Sequence, residues 1–252
     1  MFSPRELLID GQILKDTIIE NLAYAESHGV FGSNTLPIIF ELAKFIKPKA
    51  CVIIGTGDGI IPRVIREAQI KSLVNDSKTY LIDLGETMGA MPEKIHNTKS
   101  VFRKLYPEII VFKGYSTPDG FNFISNLEKT IDLVWIDGDH SHNGSLSDFY
   151  NYSKLLSENG LIFFHDTAPN GSGKIQPEWC GVDKTIEYIK ENYKNFECIN
   201  FTKTNWLNLG AGFAIFKKVN KDHQNILFLW LNKPHMMEFW DNSQEHKDDI
   251  IN

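Results

Sequence analysis

The sequence predicts an α/β protein whose core is a mainly parallel sheet with helices on both faces. Short apolar runs alternate with segments of helical period over residues 50–216. Most runs are continuously apolar, as expected of strands covered on both faces, and their alternation with helices implies right-handed crossovers. Residues 196–201 and 211–216 have no helical segment between them, which predicts an antiparallel pair at one end of the sheet.

The elements follow from the spacing of apolar residues. A helical prelude is predicted before residue 50, and residues 143–157 and 181–195 each place apolar side chains on one helical face. Strands are expected at residues 50–54, 79–82, 109–112, 132–136, 160–164, 196–201 and 211–216. We therefore expect three regions, which are a helical extension over 1–34, the sheet domain over 35–219, and an aromatic segment with a polar tail over 220–252.

The composition argues against several classes of protein. The 252 residues include 26 Lys+Arg and 32 Asp+Glu, for a net charge of −6, so a nucleic-acid binder with a basic face is not expected. The 3 cysteines contain no C-x-x-C pair and predict neither a disulfide framework nor a zinc site. No apolar stretch is long enough to cross a bilayer, so we expect a cytoplasmic protein without membrane contact.

A glycine-rich turn follows the first apolar run and precedes a predicted helix. It is Gly55-Thr-Gly-Asp-Gly59, whose glycines allow a ligand to lie against backbone N–H groups. The second run ends in Asp83, where a carboxylate can accept two hydrogen bonds from a ribose diol. Together these features favour a nucleoside-containing cofactor. The alternative is a turn without a ligand beside a solvated carboxylate.

Acids and histidines follow the fourth and fifth runs. Asp137, Asp139 and His140 come after the fourth run, and His165 and Asp166 end the fifth. Because neighbouring strand ends meet at one edge of a parallel sheet, we expect Asp137 and Asp166 to lie near each other, where a cation or a shared proton would relieve their repulsion. Oxygen ligands suit Mg²⁺, Ca²⁺ or Mn²⁺, and the imidazoles leave a transition metal open. The alternative is that these side chains only cap a loop and a helix.

These motifs resemble a known family. The stretches Ile131-Asp-Leu-Val-Trp-Ile-Asp-Gly-Asp-His140 and Asn159-Gly-Leu-Ile-Phe-Phe-His-Asp-Thr167, with the glycine turn and Asp83, are similar to those of class I S-adenosylmethionine-dependent methyltransferases. The branch is the one that includes catechol, macrolide-sugar and cephalosporin-biosynthesis O-methyltransferase relatives. The resemblance covers residues 35–219. It implies a Rossmann-like three-layer sandwich with a seven-stranded sheet in the order 3-2-1-4-5-7-6, strand 7 being antiparallel.

The resemblance also implies roles for residues at the strand ends. Asp83 would hold the ribose, and Tyr115 and Ser116 would lie by the adenine. Metal-dependent members place one ligand after the fourth strand and two after the fifth, which gives Asp137, Asp166 and either His165 or Thr167. Their base stands three positions after the first ligand, so His140 and Asp137 are the expected catalytic residues. The full set of expected cofactor contacts is Gly55, Thr56, Gly57, Asp58, Gly59, Asp83, Tyr115, Ser116 and Asp137.

We therefore predict an S-adenosylmethionine-dependent O-methyltransferase acting on a hydroxyl of a small-molecule acceptor, expected to be a vicinal diol of a sugar or another small metabolite. A divalent ion, Mg²⁺ or else Ca²⁺ or Mn²⁺, would orient adjacent hydroxyls and lower the pKa of one. An NAD-dependent oxidoreductase is one alternative, although its G-x-G-x-x-G pattern differs from the G-x-G-x-G found here. A non-catalytic binding protein is the other, since Ile53 stands where many methyltransferases carry an acid. The C-terminal aromatic segment is a candidate contact of a homo-oligomer.

Overall fold

A computed structural model of the chain describes residues 35–55, 59–85, 96, 98–99, 101–167, 181–201 and 212–219. The predictions for residues 1–34 and 220–252, and for Thr56, Gly57 and Asp58, lie outside the described residues. The division into three regions therefore stays a prediction.

The described elements alternate along the chain as the apolar pattern predicts. The strands are β1 (Ala50–Ile54), β2 (Lys78–Asp83), β3 (Ile110–Lys113), β4 (Ile131–Ile136), β5 (Leu156–His165), β6 (Phe196–Asn200) and β7 (Phe213–Lys218). The helices are α1 (Thr35–Ile46), α2 (Ile60–Lys71), α3 (Val101–Leu105), α4 (Phe121–Leu127), α5 (His142–Tyr152) and α6 (Val182–Asn192). A helical turn, Ser116–Gly120, precedes α4.

The strands form one seven-stranded sheet in the order β3-β2-β1-β4-β5-β7-β6. The pairs from β3 through β5 are parallel, whereas β7 is antiparallel to both β5 and β6. The fold class and strand order expected from the sequence are thus confirmed. The antiparallel pair at the end of the sheet is confirmed as well, since β6 and β7 pair in antiparallel register.

The core lies on both faces of the central strands. All five residues of β1 are buried, which explains why this run is continuously apolar. On one face, Phe149 of α5 packs against Phe164 and Phe216 at centroid distances of 6.2 and 5.9 Å. Elsewhere in the core, Trp135 stacks on Phe163 at 5.9 Å. None of the described helices combines the length and apolar character needed to cross a bilayer.

Backbone hydrogen bonds hold the carboxyl ends of four strands together. The N–H of Gly55 donates to the carbonyl of Ile82 at 2.9 Å, and the N–H of Asp137 donates to the carbonyl of Ile54 at 2.9 Å. The N–H of Gly114 donates to the carbonyl of Asp83 at 3.1 Å. The ends of β1, β2, β3 and β4 therefore form one edge. In an open α/β sheet, ligands bind outside this edge.

Candidate active site

The glycine turn contacts the end of β4 directly. Gly55 has a φ of +73°, a left-handed conformation that glycine adopts without a steric penalty. A Cβ atom built on Gly55 would collide with the carbonyl oxygen of Asp137 and lie 2.9 Å from the Cα of Gly138. Gly59 also has a positive φ and stands at the N-terminus of α2 without a side chain to cap it. The backbone of Gly55 therefore lies beside Asp137, and Gly59 lies at the N-terminus of α2, with no side chain on either residue.

Asp83 ends β2 at the same edge and is 8% exposed. Its Oδ1 accepts a hydrogen bond from the N–H of Gly85 at 2.6 Å, and Nε2 of His96 lies 3.7 Å from the same oxygen. Both contacts fix the carboxylate at the strand end. This position of Asp83 agrees with the expected contact to a ribose, and that contact stays a prediction.

Tyr115 and Ser116 lie in the turn that follows β3. The Tyr115 side chain is 64% exposed, and its carbonyl accepts a hydrogen bond from the N–H of Gly120 at 2.9 Å. The hydroxyl of Tyr152 on α5 donates to the Ser116 carbonyl at 2.8 Å. The hydroxyls of Thr117 and Ser147 are 3.2 Å apart. The turn is therefore anchored to the face of α5 and lies beside the strand ends.

Two acids and two histidines meet at the ends of β4 and β5, and we call these residues the acid–histidine cluster. Nε2 of His140 is 3.3 Å from Oδ1 of Asp137, and Nδ1 of His140 is 3.1 Å from Oδ2 of Asp166. Nδ1 of His165 lies 3.2 Å from Oδ1 of Asp137 and 3.4 Å from Oδ2 of Asp166. Both imidazoles therefore bridge both carboxylates.

The strands hold the members of this cluster at different depths. The His165 side chain is 1% exposed and stacks beside Trp135 at 5.9 Å, whereas the His140 side chain is 35% exposed. The indole N–H of Trp135 points to Oδ2 of Asp137 at 3.4 Å. Asp166 has a φ of +54°, in the left-handed region that disfavours residues other than glycine. This backbone conformation places the Asp166 carboxylate against His140, the more exposed of the two histidines.

Charge compensation sets the protonation of the acid–histidine cluster. Burial would raise the pKa of Asp137, but the charge of His165 and the hydrogen bonds to both histidines hold it well below its usual range. Burial would lower the pKa of His165, but Asp166 and Asp137 raise it well above its ordinary value. The pKa of His140 is also raised, against burial, mainly by its hydrogen bond to Asp137. Imidazolium charges thus balance the acids.

The same groups have the chemistry of a metal site. One ligand atom from each of Asp137, His140 and Asp166 lies within 4.8 Å of the others. A set of carboxylate oxygens and imidazole nitrogens fits a divalent ion, and the nitrogens widen the choice beyond Mg²⁺ and Ca²⁺ to Mn²⁺ and other transition metals. The residues present therefore fit a divalent ion, but in this set His140, expected as the base, takes the place of His165 or Thr167 as the third ligand.

Other polar residues near these strand ends have local roles. Oδ1 of Asp139 accepts a hydrogen bond from the N–H of Ser141 at 2.9 Å, so Asp139 stabilises the loop before α5 rather than joining the cluster. The Ser141 hydroxyl accepts from the N–H of Gly144 at 3.0 Å and caps α5. The hydroxyl of Thr167 donates to Oδ1 of Asn200 on β6 at 3.3 Å. Of the two candidates for a third metal ligand, His165 is thus the one in contact with the acids.

Sequence reasoning missed the contact between α6 and the loop after β4. The N–H of Gly181 donates to the carbonyl of His140 at 2.8 Å. Oγ1 of Thr185 lies 2.9 Å from Nδ1 of His142 and 2.8 Å from the Ser145 hydroxyl. Contacts of one glycine and one threonine with residues 40 to 43 positions earlier leave no periodic signal in a sequence.

Comparisons with known proteins give one family match, one similar sequence and many similar folds. Residues 52–167 match the model of the family described as Methyltransferase domain. A protein of Acanthamoeba polyphaga mimivirus is 24% identical over 175 residues, which cover 67% of this chain and 75% of the relative. The O-methyltransferase from Bacillus cereus, solved with SAH, is 16% identical, with a TM-score of 0.61 over 84% of this chain and 94% of that one. The O-methyltransferase TomG from Streptomyces achromogenes, solved with SAM, is 12% identical, with a TM-score of 0.60 over 84% and 92%.

The strand order and the structural neighbours define the fold, which is that of Rossmann-like methyltransferases. The match over residues 52–167 covers the glycine turn, Asp83 and both clustered strand ends. These residues are therefore similar to a methyltransferase domain, which supports the methyltransferase class predicted from the sequence.

Proposed function

We propose that this methyltransferase transfers the methyl group of S-adenosylmethionine to a hydroxyl of a small molecule held at the acid–histidine cluster. The observation that carries the proposal is the contact between Gly55 and Asp137, which joins the glycine turn to the cluster. A donor bound at the turn and an acceptor bound at the cluster would then share one crevice. The bound SAH and SAM of the B. cereus and S. achromogenes enzymes support this choice of cofactor.

The proposed cofactor residues follow the edge of the sheet. Gly55 and Gly59, with Thr56, Gly57 and Asp58 between them, would lie against the methionine and ribose part of the cofactor. Asp83 would accept hydrogen bonds from the ribose hydroxyls, while Tyr115 and Ser116 would border the adenine. Asp137 would stand where the cofactor meets the acceptor, because its backbone touches the turn and its carboxylate belongs to the cluster.

The cluster would prepare the acceptor. Methyl transfer forms an oxygen–carbon bond and breaks the sulfonium–carbon bond, while the hydroxyl proton goes to a base. A divalent ion bound by Asp137, Asp166 and His165 would supply Lewis acidity and orient two adjacent hydroxyls, as in a sugar diol. Asp137 and Asp166 raise the pKa of His140, so engagement of these carboxylates by an ion would favour the neutral imidazole, which would accept the hydroxyl proton. Alignment of oxygen, methyl carbon and sulfur supplies the remaining rate enhancement.

Turnover with and without a chelator tests this proposal. Release of S-adenosylhomocysteine would be measured over a panel of sugars and small diols, with EDTA and with Mg²⁺ or Mn²⁺ added back. We expect EDTA and the Asp166→Asn variant to abolish turnover. Asp76→Asn is a matched control, since Asp76 is an exposed acid in the turn before β2. Undiminished turnover both in EDTA and in Asp166→Asn would remove the metal from the mechanism.

Cofactor binding separates this proposal from its alternatives. The methyltransferase match disfavours the NAD-dependent oxidoreductase, and titration calorimetry with NAD⁺ should give no binding heat. A non-catalytic binding protein would fail to bind S-adenosylmethionine in the same assay. The cytoplasmic setting and a homo-oligomer through the C-terminal aromatic segment stay predictions. Light scattering of the full chain and of a chain ending at residue 219 tests the oligomer.

A further inference from the structure

The hydroxyl of Thr185 on α6 is buried against the start of α5. Its Oγ1 lies 2.9 Å from Nδ1 of His142 and 2.8 Å from the Ser145 hydroxyl. The carbonyls of His142 and Gly181 are farther away, at 3.2 Å each. A hydroxyl has one proton and two lone pairs, so Thr185 cannot donate to all of these groups. The neighbours of Thr185 therefore decide where its proton lies.

One arrangement of protons satisfies the three shortest contacts of this group. The Ser145 hydroxyl must donate to the Ser141 carbonyl at 2.8 Å, because a carbonyl has no proton to donate. Thr185 must then donate to Ser145, and the Nδ1–H of His142 must donate to Thr185. The hydroxyl chain, as we call it, consists of His142, Thr185, Ser145 and Ser141. It requires that the proton of a neutral His142 ring lie on Nδ1 rather than on Nε2.

The hydroxyl chain ends on the loop that carries the proposed base. This loop, residues 137–141, follows β4 and leads into α5, with His140 next to Ser141. The N–H of Gly181 at the start of α6 donates to the carbonyl of His140 at 2.8 Å. Helix α6 thus holds the loop by the backbone of His140 and, through Thr185, by the residues that follow it.

The His140 ring depends on this support once the acids bind a cation. Its two nitrogens lie 3.3 Å from Asp137 and 3.1 Å from Asp166 in the structure. In the proposed reaction a divalent ion would bind both carboxylates, so these contacts would no longer hold the ring. The backbone attachment to α6 would remain. A general base must stay within hydrogen-bonding distance of the proton that it removes, and a displacement of about 1 Å can cost about 100-fold in rate.

We propose that Thr185 is a positioning residue, whose hydroxyl chain holds His140 where this histidine accepts the proton of the methyl acceptor. Thr185 acts through the loop and not on the acceptor itself. This inference rests on the proposed function, in which His140 is the base.

Nitrogen NMR of the histidine rings tests the hydroxyl chain without an acceptor. With the ring neutral at alkaline pH, the signals of His142 in the wild-type protein should show Nδ1 protonated and Nε2 unprotonated. Thr185→Val keeps the shape of the side chain but removes the hydroxyl, so both tautomers should appear. Thr185→Ser keeps the hydroxyl and should retain the wild-type signals. Thr79→Val is a matched control, because Thr79 on β2 is also buried and donates to Gln69 at 2.7 Å.

Kinetics test the role of Thr185 in the reaction. With the acceptor that gives turnover in the panel of sugars and small diols, Thr185→Val should lower kcat about 10- to 100-fold and leave the KM for S-adenosylmethionine unchanged. This deficit should shrink as the pH rises, because an acceptor hydroxyl that ionises in solution needs no base. A general loss of stability would not produce this pH profile. Thr185→Ser should restore kcat, and Thr79→Val should leave it unchanged.

A second variant covers the case in which Thr185→Val folds poorly. Ser145→Ala interrupts the same chain and frees the Thr185 proton to face Nδ1 of His142, so both tautomers and a lower kcat should result. Wild-type nitrogen signals or a wild-type kcat in a folded variant of the chain would overturn this inference alone. Absence of turnover by the wild-type protein with every acceptor would overturn the proposed function, and with it the role of Thr185.

Discussion

Replacement of Gly55 tests the contact that joins the two halves of the site. In Gly55→Ala the new methyl group would collide with the Asp137 carbonyl and lie 2.9 Å from the Cα of Gly138. Both neighbours are backbone atoms at the end of a buried strand, so neither can rotate away. The φ of +73° adds a second penalty, because a left-handed backbone costs alanine about 1–2 kcal/mol more than glycine. Overpacking of this kind costs about 1–3 kcal/mol.

We therefore expect Gly55→Ala to lower the free energy of unfolding by about 2–5 kcal/mol in urea denaturation with an unchanged m-value. The variant should also bind S-adenosylhomocysteine more weakly, since the turn and the cluster are forced apart. Gly138→Ala is the matched control, because its Cβ would meet side-chain atoms, of Ile54 at 3.1 Å and of Asp148 at 3.9 Å, and no left-handed φ is involved. Its loss should stay below about 1 kcal/mol. Equal losses in the two variants, or a stable Gly55→Ala, would refute the contact.

Three further predictions concern buried polar groups. His165→Phe should lower the free energy of unfolding by about 3–5 kcal/mol in urea denaturation, because it removes a buried partner shared by Asp166, which is buried, and Asp137, which is partly buried. A loss below about 1 kcal/mol would contradict this. In EDTA, His165 should stabilise the protein fully at a pH below the pKa that this histidine has in the unfolded chain. The stabilisation should decline as the pH rises through the raised pKa of His165 in the folded protein. The free energy of unfolding of His165→Gln should not show this decline at alkaline pH. Gln69→Leu should lower stability by about 1–3 kcal/mol, because Gln69 accepts from the Thr79 hydroxyl at 2.7 Å and donates to the Pro48 carbonyl at 3.1 Å. Thermal denaturation measures this loss, and an unchanged melting temperature would contradict it.

The fold follows from the sequence because its signal is local. A parallel strand that is covered on both faces requires a continuous apolar run, and all five residues of β1 are buried. The antiparallel pair could be predicted for a similar reason, since a parallel connection would need a crossover helix that the sequence does not provide. Only the strand order depended on the resemblance to a family.

The site was predicted as far as it depends on strand ends. Asp137 and Asp166 come after adjacent strands, so the sheet itself brings them together. The partners of His140 could not be predicted in the same way. Its two ring nitrogens contact acids that follow two different strands, and this depends on the conformation of the loop that carries His140. Asp148 was missed for another reason. A polar residue on an amphipathic helix is expected on the solvent face, whereas Asp148 on α5 is 1% exposed in the structure.

The hydrogen bond from Gly181 to the His140 carbonyl links the start of α6 to the loop that carries the proposed base. A Cβ atom built on Gly181 would collide with the backbone nitrogen of His142. No side chain therefore fits at position 181 unless this loop moves, so a single glycine on a different helix governs where the proposed proton acceptor stands.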